Sequence, residues 1–354
     1  MAGSGNNMKN FLIKCITFLV IVGLIFAIPA FVIDPYNVFH ADSVRNNGIE
    51  PNKRYIKMRN VLRNPDKYDS FLFGSSRVGY FDVAKMGNGK YYDMSYSEGT
   101  PAEHLEDLEI LIANGIVPKN VYIGIDDIAY FVDPSIHQKM LYRRAFPWNG
   151  SPIEKLKFYL GYFDLITLSE SLEVSNAYTD NDPDFGKRLL ETGTERLDMP
   201  TAFDENETAA TWSDYYSPRS EVFEEISEIK SLCKANGINL VFFTNPINIY
   251  TYEKDIENGY IVFLVELSKT TEFYNFSGIN DITTDMSNYY ETSHFSPEIA
   301  NMMVSCMLEG TTDSHLSEQG FGVLVTSQNA DALVQTLYKQ ADARNIAVNT
   351  YPDN

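Results

Sequence analysis

The chain reads as an α/β protein built on a mainly parallel sheet, with helices layered on it as a three-layer sandwich. Three observations point there. Short apolar runs at Tyr68–Phe73, Val121–Ile125 and Asn239–Phe243 stop at small or polar residues, as buried strands do. Stretches with helical spacing separate these runs, the alternation of an α/β sequence. The composition, 44% hydrophobic and 21% charged over 354 residues, supplies enough apolar side chains for one large core.

Taken in order, Met1–Asn7 is small and polar, a composition that fits a cloning remnant as well as native sequence. Lys9 and Lys14 precede Cys15–Ile33, an uncharged run long enough to cross a bilayer as a helix. No Lys or Arg follows until Arg45, so the charge bias sets the N-terminus in the cytoplasm and everything after Asp34 outside. A cleaved signal peptide is the rival, since Ala27 and Ala30 are small, but its apolar core would be unusually long. Asp34–His40 then reads as an extended, turn-prone segment. The helical stretch Arg54–Arg63 carries Arg54, Lys57, Arg59 and Arg63, and reads as a solvated or headgroup-facing helix.

Strand Tyr68–Phe73 comes next, then a short strand at Tyr91–Met94 and a helix capped by Thr100 and reaching Asn114. Val121–Ile125 ends in Asp126-Asp127. From about 132 to 217 the pattern degrades into Pro, Gly, Asn and Asp, an insertion on the ligand side of the sheet. Alternation resumes with a helix over Arg219–Ala235, strand Asn239–Phe243, a helix over Tyr252–Ser268 and strand Phe273–Phe276. Pro297 opens a helix to Leu308, and a last helix spans Gln328–Arg344. The resulting organisation is a cytoplasmic start (1–10), a spanning anchor (11–33), a juxtamembrane linker and helix (34–66), an α/β domain (67–345) and a tail (346–354).

Bulk charge narrows the function. A formal net charge of -20 argues against nucleic acid and against adhesion to anionic lipid, both of which require a basic patch. Three cysteines, Cys15, Cys233 and Cys306, exclude a disulfide framework. The five histidines, His40, His104, His137, His294 and His315, are scattered, and no Cys/His spacing calls for a metal.

Chemistry concentrates at two places. Gly74-Ser75-Ser76-Arg77 follows the first strand, where open α/β sheets seat their ligands. Glu291-Thr292-Ser293-His294 offers a base and a carboxylate from one loop. Serine attack on an ester requires such a base and a carboxylate to orient it, so Ser76 reads as nucleophile, His294 as base and Glu291 as orienter. Each piece alone is ordinary turn or surface chemistry; together they form a constellation. Arg77 reads equally as an anion or carbonyl contact for substrate and as a structural ion pair. Trp148 and Trp212 suit sugar stacking or packing under a long loop.

These two blocks resemble the SGNH (GDSL-like) hydrolase superfamily. The likeness is greatest to a membrane-anchored bacterial branch related to the D-alanyl transfer protein of teichoic-acid modification and to alginate-type O-acetylation proteins. Gly74-Ser75-Ser76 is similar to the family's Gly-Asp-Ser block, with Ser75 at the Asp position. Glu291-Thr292-Ser293-His294 is similar to its Asp-x-x-His block, with Glu for Asp. The resemblance implies a flavodoxin-like sheet, an oxyanion donor from the Gly99 N–H and a second from the third block. There Gly124-Ile125-Asp126-Asp127 puts Asp126 where the family has Asn. A carboxylate would repel a developing oxyanion, so Asp126 is turned away, or protonated, or the hole rests on the Ser76 and Gly99 N–H groups. Asp313-Ser314-His315 also resembles the terminal block, but Asp313 is only two residues from His315 and the following helix starts better from Pro297.

The implied activity is extracytoplasmic serine acyl transfer or ester hydrolysis, with O-acetyl groups on cell-envelope polysaccharide as the substrate class. A polytopic membrane O-acyltransferase is the implied partner, and no cofactor is required. The alternative is an SGNH-like glycan-binding or scaffold subunit with weak catalysis.

Overall fold

The computed structural model describes residues 3–177, 182–199, 203, 211–310 and 313–348. Parts of the expected insertion (178–181, 200–202 and 204–210) and of the expected tail (349–354) lie outside the described residues, as do residues 1 and 2. The architecture is mixed α/β around a six-stranded, mostly parallel sheet. Its strands are β1 (Ser70–Phe73), β2 (Tyr91–Asp93), β3 (Asn120–Ile125), β4 (Asn239–Thr244), β5 (Phe273–Asn275) and β6 (Val323–Val325). The helices begin with α1 (Gly3–Ile28), α2 (Lys53–Arg63), α3 (Pro101–Ala113), α4 (Asp127–Phe131), α5 (Pro152–Leu160), α6 (Leu165–Ala177) and α7 (Phe185–Glu191). They continue with α8 (Glu221–Ala235), α9 (Ile249–Glu257), α10 (Tyr260–Thr270) and α11 (Asp281–Thr284). The last are α12 (Pro297–Glu309), α13 (Ser314–Glu318) and α14 (Ala330–Ala343). The chain divides into two compact units: Met1–Ile56 with Gln138–Lys187, and Lys57–His137 with Arg188–Asn354.

The first unit starts from α1. Met8–Ile33 is long and apolar enough to cross a membrane, a property it shares with signal sequences. At 1.5 Å per residue its 26 residues reach roughly 39 Å, more than the ~30 Å hydrocarbon core of a bilayer. Pro29 opens a π-helical turn, Pro29–Ile33, which Asp34 ends in a left-handed conformation (φ 51°). The segment after it is not extended as its composition suggested. The buried Asp34 carboxylate accepts the N–H groups of Val38, Phe39 and His40 at 2.7–2.9 Å and wraps the chain around itself. Phe39 then packs on Phe31, Tyr159 and Phe163, with ring centroids 5.3–5.8 Å apart. Trp148 stacks on Tyr55 at 5.7 Å, so packing occupies this indole.

The second unit holds the sheet, in the order β2-β1-β3-β4-β5-β6. All pairings are parallel except β5 with β6. Every residue of β1 is buried, so both strand faces are covered, which accounts for its unbroken apolar run. β3 sits between β1 and β4 with Phe73 opposite Ile123 and Ile125 opposite Thr244, which brings the carboxyl ends of three strands together. Pro101 opens α3 behind a reciprocal cap between Thr100 and Glu103. The helix expected over Tyr252–Ser268 is two helices, because Gly259 takes a left-handed φ of 99° between α9 and α10. β6 was not foreseen: three residues carry too little periodicity, and pairing with β5 creates the strand.

The expectation for α2 needs correction. Its first turns are buried, not solvated: Lys53, Arg54 and Lys57 are each less than a tenth exposed. Lys57 Nζ donates to the Ser95 carbonyl and lies 3.7 Å from the Asp93 carboxylate, with both side chains fully buried. Burial pushes the Asp93 carboxyl up to about 6, against the pull of Lys57. A carboxyl raised in this way contributes stability that is complete below its unfolded pKa and is lost as pH rises through 6. Lys57→Met strands Asp93 without its cation, and we expect a loss of about 3–5 kcal/mol. The deficit in urea midpoint should be larger at pH 8 than at pH 5, where Asp93 sheds its charge. Equal deficits at both pH values would show that the pair does not set the penalty.

Candidate active site

β1 leaves the sheet at Gly74, whose φ of 154° and surroundings both require glycine. A Cβ there would lie 2.4 Å from Val78 Cγ2, and one on Gly124 of the neighbouring β3 would lie 2.6 Å from the same methyl. Two side-chain-free positions on adjacent strands thus make room for Val78. That lets the next residues coil back at once as a 3₁₀ turn, Ser76–Tyr80. Ser75 caps the turn: its Oγ accepts the Arg77 N–H at 3.4 Å and its carbonyl accepts the Val78 N–H at 3.1 Å. The Ser76 N–H, at the first position, is not consumed by the turn. Between Ser70 and Phe81, Ser76 alone is not buried.

The second block is a loop closed on itself. Tyr289 and Phe295 form an antiparallel bridge, and the Ser293 N–H donates to Glu291 Oε2 at 3.0 Å. The Glu291 carboxylate bonds His294 Nδ1, and His294 Nε2 lies 2.8 Å from Ser76 Oγ. Because a carboxylate only accepts, Nδ1 carries the proton and Nε2 is left to accept the serine O–H. Ser76, His294 and Glu291 therefore form one hydrogen-bonded line. Burial works to raise the Glu291 carboxyl, but the hydrogen bond from His294, the Ser293 N–H and the charge of Arg77 help to outweigh it and hold it below its usual range.

Two tyrosines that the sequence did not single out fix the imidazole. Tyr290 stacks on it at 5.5 Å and 12°, and Tyr80 leans on it at 5.6 Å. The two phenols hydrogen-bond each other. Burial, reinforced by Tyr80, drives the Tyr290 phenol far above its ordinary range, so it stays neutral. Tyr80 lies 210 positions from Tyr290, and no local pattern joins them.

The remaining candidates take other roles. Of the two roles open to Arg77, the structure shows the ion pair: it is buried, its guanidinium bonds both oxygens of Asp127, and it lies 3.0 Å from Asp126. Its Nε donates to the Ser293 carbonyl at 2.8 Å, tying the Ser76 turn to the histidine loop. Burial opposes the charge on Arg77, but Asp127 and Asp126 more than offset it and hold the guanidinium cationic. Asp126 is not an oxyanion donor. It caps α4 by accepting the Ile128 N–H, and its Oδ2 accepts from Ser75 Oγ at 2.6 Å and Asn245 Nδ2 at 3.0 Å. The Gly99 N–H is engaged by the Tyr96 carbonyl at 3.1 Å. Gly99 serves close approach instead, since a Cβ would meet the Gly74 carbonyl at 2.5 Å.

Among the other histidines, His315 is exposed and pairs with Asp281 at 3.1 Å, outside the Ser76 line. His137 bridges Glu98 and Glu103, and His40 bonds Asp34. Among the described residues no group of three or more His, Cys, Asp or Glu side chains could hold a metal ion. No family model and no curated protein matches this chain.

Two measurements test this arrangement. Arg77→Met leaves two buried carboxylates facing each other and frees the Ser293 carbonyl. Its unfolding free energy should fall by about 3–5 kcal/mol, and retention of the wild-type urea midpoint would remove the cluster from its role. Glu291, held low by its partners, contributes stability that is present above its unfolded pKa and lost as pH falls through the lowered value. Between pH 7 and pH 3 the wild type should therefore lose its advantage over Glu291→Gln, and parallel urea-midpoint curves would contradict that.

Proposed function

We propose that this protein is an extracytoplasmic, membrane-tethered serine acyltransferase or esterase acting on cell-envelope polysaccharide. One observation carries the proposal: the Ser76–His294–Glu291 line lies at the carboxyl ends of the parallel strands. The chain runs from β1 to β2 on one side and then crosses back to β3 on the other side of β1, and the switch point this creates between β1 and β3 is where open sheets seat ligands. The order β2-β1-β3-β4-β5 is also the flavodoxin-like order, in keeping with a three-layer sandwich and with the SGNH-type blocks around Ser76 and His294.

In the proposed reaction Ser76 Oγ attacks the carbonyl carbon of an acyl ester while His294 Nε2 takes its proton. The Ser76 N–H is the donor closest in the chain to the oxyanion that forms. Collapse breaks the bond to the leaving alkoxide, which receives the proton from His294, and the acyl group stays on Ser76 as an ester. A sugar hydroxyl or water then repeats the sequence in reverse, with His294 as base, and frees the serine. Glu291 remains ionised throughout and holds the imidazole in its Nδ1–H form. No cofactor enters these steps. The Met8–Ile33 stretch would anchor the enzyme, and Lys9 and Lys14 before it favour a cytoplasmic N-terminus. A polytopic membrane O-acyltransferase would deliver the acyl group, acetyl being the group the resemblance favours.

A second reading is an SGNH-like glycan-binding or scaffold subunit with weak catalysis. It is favoured by the engaged Gly99 amide and by the acid at position 126. A serine-reactive fluorophosphonate separates the two. Wild-type protein should be labelled, Ser76→Ala should not, and His294→Ala should react about 10²–10⁴-fold more slowly. Undiminished labelling of Ser76→Ala would exclude Ser76 as nucleophile, and an unlabelled wild type favours the scaffold. Release of acetate from a small ester then separates hydrolysis from strict transfer.

A further inference from the structure

We propose that the α5–α6 hairpin is a second membrane contact, lying in the headgroup–acyl boundary of the bilayer that α1 crosses. The proposal rests on α1 being a membrane span. Along α5, Ile153, Leu156 and Leu160 recur at helical spacing, and all three are exposed. Leu165 and Leu172 continue the pattern on α6, where Leu165 is 72% exposed. Single exposed leucines are ordinary, but stripes on two successive helices separated by only four residues are not.

Continuity with the span decides the occupant. α6 packs against the π-helical turn Pro29–Ile33 and against α1 itself. Phe31 and Val32 on that turn are more than half exposed, so the apolar surface of α1 runs on to the hairpin. At the junction Phe39 joins Phe31 to Tyr159, Tyr162 and Phe163, the residues between and beside Leu160 and Leu165. Aromatic rings gathered at the end of a span suit the depth of lipid headgroups. Lys157, exposed beside the leucine stripe, can extend its ammonium group toward phosphates while its stem stays with it.

The test uses full-length protein with Cys15→Ala, reconstituted alone in phosphatidylethanolamine–phosphatidylglycerol vesicles. An environment-sensitive fluorophore is placed in turn on Leu160→Cys, Leu165→Cys and Leu172→Cys, with Val117→Cys as aqueous control and Leu19→Cys as a control within the span. The hairpin labels should shift to the blue, lose quenching by aqueous iodide and gain quenching by doxyl lipids spin-labelled near the headgroup. Iodide quenching equal to that at Val117 overturns the proposal. Labels reached by neither quencher overturn it too, and energy transfer between chains would then identify a second copy as the cover. Failure of the premise reads differently: the Leu19 label would itself be open to iodide.

Discussion

One buried guanidinium holds the candidate site together. Arg77 contacts Asp127, Asp126 and the Ser293 carbonyl, and so joins the turn after β1, the turn after β3 and the histidine loop. Such a cluster is costly to dehydrate and is not by itself a source of stability. Its effect is on geometry, because displacing any one partner leaves a charge uncompensated inside the protein. One cation faces two carboxylates, and the shortfall is met by neutral donors: Ser75 Oγ, Asn245 Nδ2 and the Ile128 N–H all point at Asp126. Asp126 is thereby held from several sides as a hydrogen-bond acceptor within the fold.

Close backbone approach does the rest. Gly74, Gly99 and Gly124 lie where added methyl groups would overlap Val78 or the Gly74 carbonyl. Without those absences the 3₁₀ turn could not fold back over the strand ends, and Ser76 could not emerge from a stretch whose other residues are buried. The loop opposite is restrained as firmly. Thr251 Oγ1 and Arg77 Nε take the carbonyls of Thr292 and Ser293, while Tyr80 and Tyr290 enclose the imidazole. A histidine so restrained keeps its Nε2 aimed at Ser76 Oγ, the prior alignment that the proposed base role requires.

The same principle, a buried polar group organising an otherwise disfavoured turn, recurs in the other unit. Asp34 ends the π-helical turn and gathers three successive N–H groups, giving the chain a fixed path directly after its apolar helix. The aromatic knot around Phe39 builds on that path. In the sheet unit, Lys57 and Asp93 show the converse. There a helix whose residues look solvated is drawn inward by a carboxylate at the end of a strand.

Much was legible in the order of residues because it depends on near neighbours. Apolar runs closed by Gly74, Asp126 and Thr244 mark β1, β3 and β4, Thr100-Pro101 and Ser296-Pro297 mark helix starts, and an uncharged stretch marks α1. Gly74-Ser75-Ser76 and Glu291-x-x-His294 stood out for the same reason, as short patterns with a chemical meaning. What local order could not reveal was which side chains meet. Arg77 and the Ser293 carbonyl are 216 positions apart, and Arg77 lies 50 from Asp127. Nothing near Arg77 distinguishes an arginine that binds substrate from one that bridges two turns. Gly99 looked like a donor, yet a carbonyl three residues earlier takes its amide and a neighbouring strand requires its missing side chain. Periodicity and turn chemistry are properties of a few consecutive residues, so the sequence alone determined elements and candidates. The partners of buried charges depend on how strands are ordered in space, and that only the tertiary structure decided.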